Sequence, residues 1–291
     1  MAFTGVDSIV TAKAAGQKQR IRLNRAVVTG ATSVAGRWHE CMSGLGTGGS
    51  IVLTGAAGVG ALRNRASPGA LPLNSDVAAL KRHLQAMTAW TGGATLAPGV
   101  VLLTDIIHVY PSCVLTGAPT ALSSHPVWTG AGDTRMTDAA GVEMSLIVTT
   151  AGTAGNGQIT ATYVNSAGTA GRVAGSQYAP ATNTPIGALY GQTNTVVTVG
   201  GPYMPRAAGD LGVQSITSYA INTGLTTGVG AFVLHRPIAE IPLAAANTPG
   251  MIEWILGERI YDDSCLALIT QVGGAATVGQ QITGSLETVW G

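Results

Sequence analysis

The chain has 291 residues, of which only 10% are charged, and its formal net charge is +1. Typical soluble proteins carry about 25% charged residues, so this composition favours either a membrane or extensive contacts with protein partners. No stretch approaches the roughly 20 uninterrupted apolar residues of a membrane-spanning helix, and the start of the chain lacks the pattern of a signal peptide. We therefore expect no membrane partner and a protein that remains in the cytosol where it is made.

The first predicted feature is a basic N-terminal arm that covers residues 1–25. Arginines alternate with Ile21 and Leu23 in KQRIRLNRAV, which predicts a strand with outward charges. Contact with an acidic neighbouring subunit and a plain edge strand whose charges discourage aggregation are both compatible with this pattern. We expect no sequence-specific nucleic-acid binding, because no aromatic residues interleave with the cations to stack on bases. The candidate interface residues of the arm are Lys13, Lys18, Arg20, Arg22 and Arg25.

The next segment, AVVTGATSVAGRWHE, resembles the glycine turn of short-chain dehydrogenases at Thr29, Gly30 and Gly36. Val34 replaces the middle glycine, and the glycine-rich sequence that follows is unsuited to the helix that would bind the phosphates. None of the three lysines lies four residues after a tyrosine, so the catalytic pair of that family is missing. We predict the end of a strand and a turn here, and no nucleotide cofactor.

Two helices are predicted further along the chain. The first is SDVAALKRHLQAMTAW, which Asn74 or Ser75 would cap and in which Leu80, Leu84 and Met87 recur on one face. The second and shorter helix is GMIEWILGERI, which follows a proline. We expect both helices to plug or flank the sheets.

Short alternating runs rich in β-branched residues recur between glycine-rich turns, which indicates strands joined by hairpins and long loops. The predicted strands are IRLNRAVVT, GSIVLTG, VVLLTDIIHVY, VEMSLIVTT, GQITATYVNS, TVVTVGG, GVQSITSYAI, GAFVLHRPIAEIPL, CLALITQV and QQITGSLETVW. The predicted fold is mainly β, an antiparallel β-sandwich of jelly-roll type with one or two short helices and an extended N-terminal arm. We assign one domain to residues 26–291, with a subdivision near residue 98 as an alternative.

The titratable residues form no pattern typical of catalysis or metal binding. The cysteines lack CxxC spacing and are expected to be small buried hydrophobic residues. Asp133 and Asp138, and the pair Asp262 and Asp263, lie in turn-like sequences where aspartates bind their own backbone. We therefore predict that the chain is not an enzyme and holds no metal and no cofactor. The three cysteines are Cys41, Cys113 and Cys265.

Several segments share their order and character with one group of proteins. They are GRWHECMSGLGTGG, LKRHLQAMTAW, GVVLLTDIIHVYPS, DAAGVEMSLIVTT, ITATYVNSAGTAGR, AFVLHRPIAEIPL and RIYDDSCLALITQVGGAATVGQQITGSLETVWG. Together they resemble structural proteins from the virions of tailed bacteriophages. The resemblance implies a capsid cement or decoration protein, or a tail protein, and it transfers no site residues to this chain.

The expected partners follow from this resemblance: the major capsid protein and further copies of the chain, as a homo-oligomer for which a trimer is expected. The expected location is the virion capsid, after assembly in the host cytoplasm. The alternative is a tail or fibre protein that binds a host receptor or glycan, although only 5% of residues are aromatic. Trp90 and Trp128, each followed by Thr-Gly, are interface candidates for which core packing is the competing interpretation.

Overall fold

The structure, a computed structural model, describes residues 3–28, 35–74, 80–93, 95–115, 120–130, 135–152, 158–175, 177–178, 186–190, 201–221, 228–254, 257–274 and 279–291. Residues 29–34 of the dehydrogenase-like turn and residues 195–200 of the predicted strand TVVTVGG lie outside these ranges, as do Asp133 and the proposed helix cap at Ser75.

Strands dominate the described residues, and the prediction of a mainly β, antiparallel sandwich with a short helix is confirmed. The elements are α1 (Val6–Ala14), β1 (Lys18–Ala26), β2 (Trp38–Glu40), β3 (Ala61–Leu62), β4 (Arg82–Thr91), β5 (Gly99–Val114), β6 (Thr120–Ala121), β7 (Glu143–Thr150), β8 (Gln158–Asn165), β9 (Arg172–Val173), β10 (Gln177–Tyr178), β11 (Val213–Ile221), β12 (Val229–Leu243), β13 (Gly250–Glu253), β14 (Arg259–Ile260), β15 (Leu266–Gln271) and β16 (Gln281–Trp290).

A central sheet has the order β2-β15-β5-β12-β7, and β3 pairs with β5. Its two longest strands, β5 and β12, contain 16 and 15 residues and pair with each other antiparallel. At about 3.3 Å per residue these strands are about 50 Å long. They are therefore long enough to support two smaller sheets side by side on one face.

The first smaller sheet, which we call the N-terminal sheet, has the order β1-β16-β4-β13, with β14 on β4. The second, the distal sheet, has the order β10-β8-β11-β6, with β9 on β8. Leu103 and Leu268 of the central sheet pack in the core shared with the N-terminal sheet. Phe232 and Leu234 pack in the core shared with the distal sheet. Two sandwiches therefore share one central sheet.

Loops cover the opposite face of the central sheet. Ala231 and Val233 point to this side, where Ile51 and Leu53 pack against them in a third core. The sequence GSIVLTG, predicted as a strand, forms no strand there, although Ile51 and Leu53 are buried. Its alternating pattern reflects burial under the sheet and not hydrogen bonding to it.

The helix predicted in SDVAALKRHLQAMTAW is wrong for its described part, because residues 82–91 form strand β4 between β16 and β13. The ladder to β16 pairs Ala86 with Glu287 and then Leu84 with Thr288, so Gln85 has no opposite residue. This is a β-bulge, and the extra residue changes the spacing of buried side chains from two to three. A bulge therefore produced the helix-like interval between Leu84 and Met87.

The second predicted helix is also wrong in its described part. Residues 250–253 form β13, which pairs with β4, and Arg259 and Ile260 form β14. Met251 is exposed whereas Ile252 is half-buried, which is the period of a strand. Pairing with the edge of β4 outweighs the weak helical pattern of this segment.

The N-terminal residues lie on the body of the protein and do not form an extended arm. The short helix α1 packs Ile9 and Ala12 against Val289 of β16. Strand β1 pairs with β16 along its whole length without a register shift. Because β4 pairs with the other side of β16, both ends of the chain meet in the N-terminal sheet.

Candidate functional site

The outer face of the N-terminal sheet brings together three of the interface candidates. In β1, Ile21 and Leu23 are buried against the central sheet, whereas Arg20 and Arg22 are exposed on the opposite face. Side chains of a strand alternate between its two faces, so the arginines share one surface. Trp90 of β4 lines the same surface groove as these arginines.

This groove has a volume of about 510 Å³ and lies along the three strands β1, β16 and β4. Neighbouring strands are about 4.8 Å apart, so its two walls are separated by about 10 Å. One wall carries the arginines and the other carries Trp90. The floor is low because β16 contributes only small residues, Thr283, Gly284 and Ser285.

Position 284, on the floor of the groove, requires glycine. A Cβ atom on residue 284 would overlap the carbonyl oxygen of Thr88 on the neighbouring strand. Only glycine allows the two backbones to approach this closely. Residue 284 must therefore be glycine for β16 to pair with β4 at this point.

Hydrogen bonds to hydroxyl groups position several side chains of the groove. The side chain of Arg20 donates a hydrogen bond of 3.4 Å to the Ser285 hydroxyl, which lies 3.0 Å from the hydroxyl of Thr88. The backbone N–H of Ser285 donates to the same Thr88 hydroxyl at 3.1 Å. Among the described residues, Arg22 has no hydrogen-bond or ion-pair partner. Its guanidinium group is therefore available to an anionic group of a partner.

The two lysines lie at the margins of this region. Lys13 of α1 is 3.9 Å from the carboxylate of Glu287, and both side chains are partly exposed. Such exposed pairs contribute about 0–1 kcal/mol to stability. Lys18 is exposed at the start of β1. Both lysines therefore remain on a surface that a partner could reach.

Arg25 is fully buried and does not reach the groove. Its guanidinium group donates hydrogen bonds to the carbonyl oxygens of Met42, Thr47 and Gly69 at 2.7 to 3.0 Å, and also to that of Gly49. Burial lowers the pKa of Arg25, and nearby acidic groups oppose this effect. Arg25 thus holds loops together and cannot contact a partner.

Trp128 lies apart from the groove, beside the core of the distal sheet. Its indole N–H donates a hydrogen bond of 2.8 Å to the carbonyl oxygen of Gln214. The ring is half-buried and packed, which supports the core interpretation that competed with an interface role. Of the two predicted tryptophans, Trp90 is the one that lies with the arginines.

An ion pair that the sequence did not indicate is buried in the interior. Asp105 of β5 accepts hydrogen bonds from Arg135 at 2.7 Å, from the Ser264 hydroxyl at 2.9 Å and from the Cys265 N–H at 2.8 Å. Burial raises the pKa of Asp105, and Arg135 opposes that shift. These residues are distant in sequence, so only the folded chain could show the cluster.

The three cysteines and Asp138 lie in surroundings that do not activate them for catalysis. The three free cysteines are buried, as predicted, and burial raises the pKa of Cys113 and of Cys265 to about 12. Their thiols are therefore not activated as nucleophiles. Asp138 accepts a hydrogen bond from the N–H of Ala140, as aspartates in turns do. Within the described part of the chain, no group of three or more His, Cys, Asp or Glu residues could hold a metal ion.

A second cavity of about 350 Å³ lies on another part of the surface. Trp38 and Tyr203 contribute aromatic walls, and Glu240 and Glu258 contribute carboxylates. The four residues lie far apart in sequence, and no motif in the chain indicates this site. Across the described ranges, no helix has the length and apolar character needed to cross a membrane.

Comparisons with known proteins identify no family. No protein-family model matches the chain, and no curated protein matches it. Among solved structures, "Structure of infectious bursal disease virus Gx strain" is 10% identical, covering 94% of this chain and 79% of that chain, with a TM-score of 0.20. "Crystal structure of infectious bursal disease virus VP2 subviral particle" is 9% identical, covering 94% and 80%, with a TM-score of 0.18. Similarity at this level supports no conclusion about function.

Proposed function

We propose that this chain is a structural protein of a tailed-bacteriophage particle and, more narrowly, a capsid cement or decoration protein. In this proposal it contacts the major capsid protein and copies of itself, and it reinforces the shell without catalysing a reaction. The distribution of charged and apolar side chains over the described residues is the observation that carries the proposal.

Six of the 29 charged residues are buried inside the described part of the protein. The chain has 15 Lys and Arg and 14 Asp and Glu residues. The buried ones hold loops and pairs of strands, as Arg25 and Asp105 do. A surface with so few remaining charges is suited to extensive contact with other proteins. The buried charged residues are Arg25, Arg37, Glu40, Arg82, Asp105 and Arg135.

Large apolar side chains are exposed over several parts of the same surface. They occur on α1, on loops and on strands of all three sheets. The side chains are Val6, Val10, Leu45, Val52, Val59, Leu62, Val114, Val127, Val173, Leu211 and Met251. Several modest contacts of this kind, made at once by a homo-oligomer on a repeating lattice, add up to strong attachment through avidity.

The groove favours a second candidate function, a tail or fibre protein that binds a host receptor or glycan. Trp90 lines the same groove as Arg20 and Arg22, and the hydroxyl groups of Thr283 and Ser285 lie between the two walls. An aromatic wall with hydrogen-bonding side chains is suited to a sugar ring as well as to a protein. The low aromatic content of the chain had argued against such a platform, but a single well-placed tryptophan is enough to form one.

Cryo-electron microscopy of the native particle separates the two functions. A capsid cement protein will appear in hundreds of copies on the shell, in contact with the major capsid protein. A ring or spike at one vertex would support the tail function and contradict the cement function. Light scattering of the purified chain adds the oligomeric state, for which we expect a trimer.

A further inference from the structure

Strand β1 forms one edge of the N-terminal sheet. Two hydrogen bonds show which of its backbone groups point away from that sheet. The carbonyl oxygen of Asn24 accepts a hydrogen bond of 2.8 Å from the N–H of Thr47, on the side away from β16. The N–H of Ala26 donates to Leu45 at 2.9 Å on the same side. Even-numbered residues of β1 therefore direct their backbone groups outward.

The same alternation extends to the first half of β1. Because the ladder to β16 has no register shift, Arg20 and Arg22 also direct their N–H and C=O groups away from β16. The loop that covers the edge reaches only Asn24. Among the described residues, none pairs with the backbone of Arg20 or Arg22 on this outer edge. Two consecutive outward positions are therefore available to another strand.

The charges of the side chains at this open edge determine which kind of strand can pair with it. Lys18, Arg20 and Arg22 are all exposed on the outer face. A second copy of β1 would place cation against cation, which is unfavourable and is one way in which edge strands avoid self-pairing. An extended segment with acidic residues at alternate positions has the same spacing of about 7 Å between them. Each acid would then lie opposite one arginine.

We propose that the edge formed by Lys18–Leu23 of β1 accepts an extended acidic segment of a partner protein as an added β-strand. The partner rests on the proposed function, in which this chain docks on another virion protein. Main-chain hydrogen bonds to Arg20 and Arg22 supply the binding, and the opposite charges supply the specificity. The Gln19 side chain donates a hydrogen bond to the Pro72 carbonyl and accepts one from the Asn74 N–H, and neither bond uses the backbone groups of Arg20 or Arg22.

Hydrogen exchange measured by NMR on the full chain tests the added strand directly. The probe is a synthetic nine-residue peptide in which glutamate alternates with threonine. We expect the peptide to slow exchange of the Arg20 and Arg22 amides. The amides of Ile21 and Leu23 already face β16, so they serve as internal controls and should not change. Protection of neither arginine amide at millimolar peptide would overturn the proposal.

Two further controls separate strand addition from simple attraction between charges. A peptide with N-methyl groups on the amides that would face β1 keeps its charge and must lose the protection. The Arg20→Gln/Arg22→Gln variant should weaken binding about tenfold, because each opposite-charge pair across strands contributes modestly. Lys81→Gln, which removes an exposed cation outside β1, should bind as the wild type does. Equal binding of the methylated peptide would reject strand addition.

Attachment to purified particles distinguishes this inference from the proposed function. If the peptide protects the arginine amides but the double variant attaches to capsids normally, the edge accepts acidic strands and its partner is not the capsid. If neither the peptide nor the particle distinguishes the variant from the wild type, the proposed selection of an acidic strand by Arg20 and Arg22 is wrong, while a capsid function is not contradicted.

Discussion

Lowering the pH from 7 to 5 should destabilise the fold through three buried histidines. Burial lowers the pKa of His39 and of His108 to about 4 and that of His235 to about 3. The ordinary histidine pKa is about 6.5, so the unfolded chain takes up protons at a higher pH than the folded chain. The stability contributed by the neutral rings is therefore complete above about pH 6.5 and is lost as the pH falls towards 4.

The magnitude follows from the difference between the folded and unfolded pKa values. Each of the three rings contributes a loss of about 2 kcal/mol between pH 7 and pH 5. Together they amount to about 6 kcal/mol, which is comparable to the whole unfolding free energy of many proteins. Burial raises the pKa of Glu40 and Asp105, which offsets part of this loss. A variant that removes one histidine is therefore needed to isolate its effect.

His235 is suited to this test because it is fully buried. Its ring lies 3.2 Å from the Thr104 hydroxyl and packs edge-on against Tyr203. Urea unfolding of His235→Gln, followed by fluorescence and circular dichroism at pH 7 and pH 5, should show about 2 kcal/mol less acid destabilisation than the wild type. The control Thr104→Val keeps the titrating ring and should retain the wild-type pH dependence. Identical pH dependence of His235→Gln and the wild type would refute the reasoning.

Two further substitutions test the interior of the protein. Arg135→Met leaves Asp105 as a buried charge without its cation, so urea unfolding should show that the free energy of unfolding falls by about 3–5 kcal/mol. Adding Asp105→Leu should restore part of this stability. A double variant as unstable as Arg135→Met would contradict the role of the pair. Gly284→Ala places a Cβ against the Thr88 carbonyl and should prevent β16 from pairing with β4, measured as loss of soluble protein. The control Gly201→Ala, where a Cβ meets no atom within 4 Å, should express normally.

The bulge in β4 shows where local sequence patterns fail. Leu84 and Met87 are both buried in the same core, three residues apart, as they would be on a helix. The interval arises because Gln85 has no partner on β16. A bulge depends on the facing strand, which lies about 200 residues later in the chain. The sequence around β4 therefore did not reveal the bulge that interrupts its alternation.

The sequence alone determined some of the strands, such as β1 and β8, because alternation within a strand reports directly which side chains are buried. It also determined the low surface charge and the buried state of the cysteines. The tertiary structure decided which strands are neighbours, and so it placed Trp90 beside Arg20 and Arg22 and took Arg25 into the interior. Alternation is a property of each strand by itself, whereas these placements depend on contacts between residues far apart in the chain.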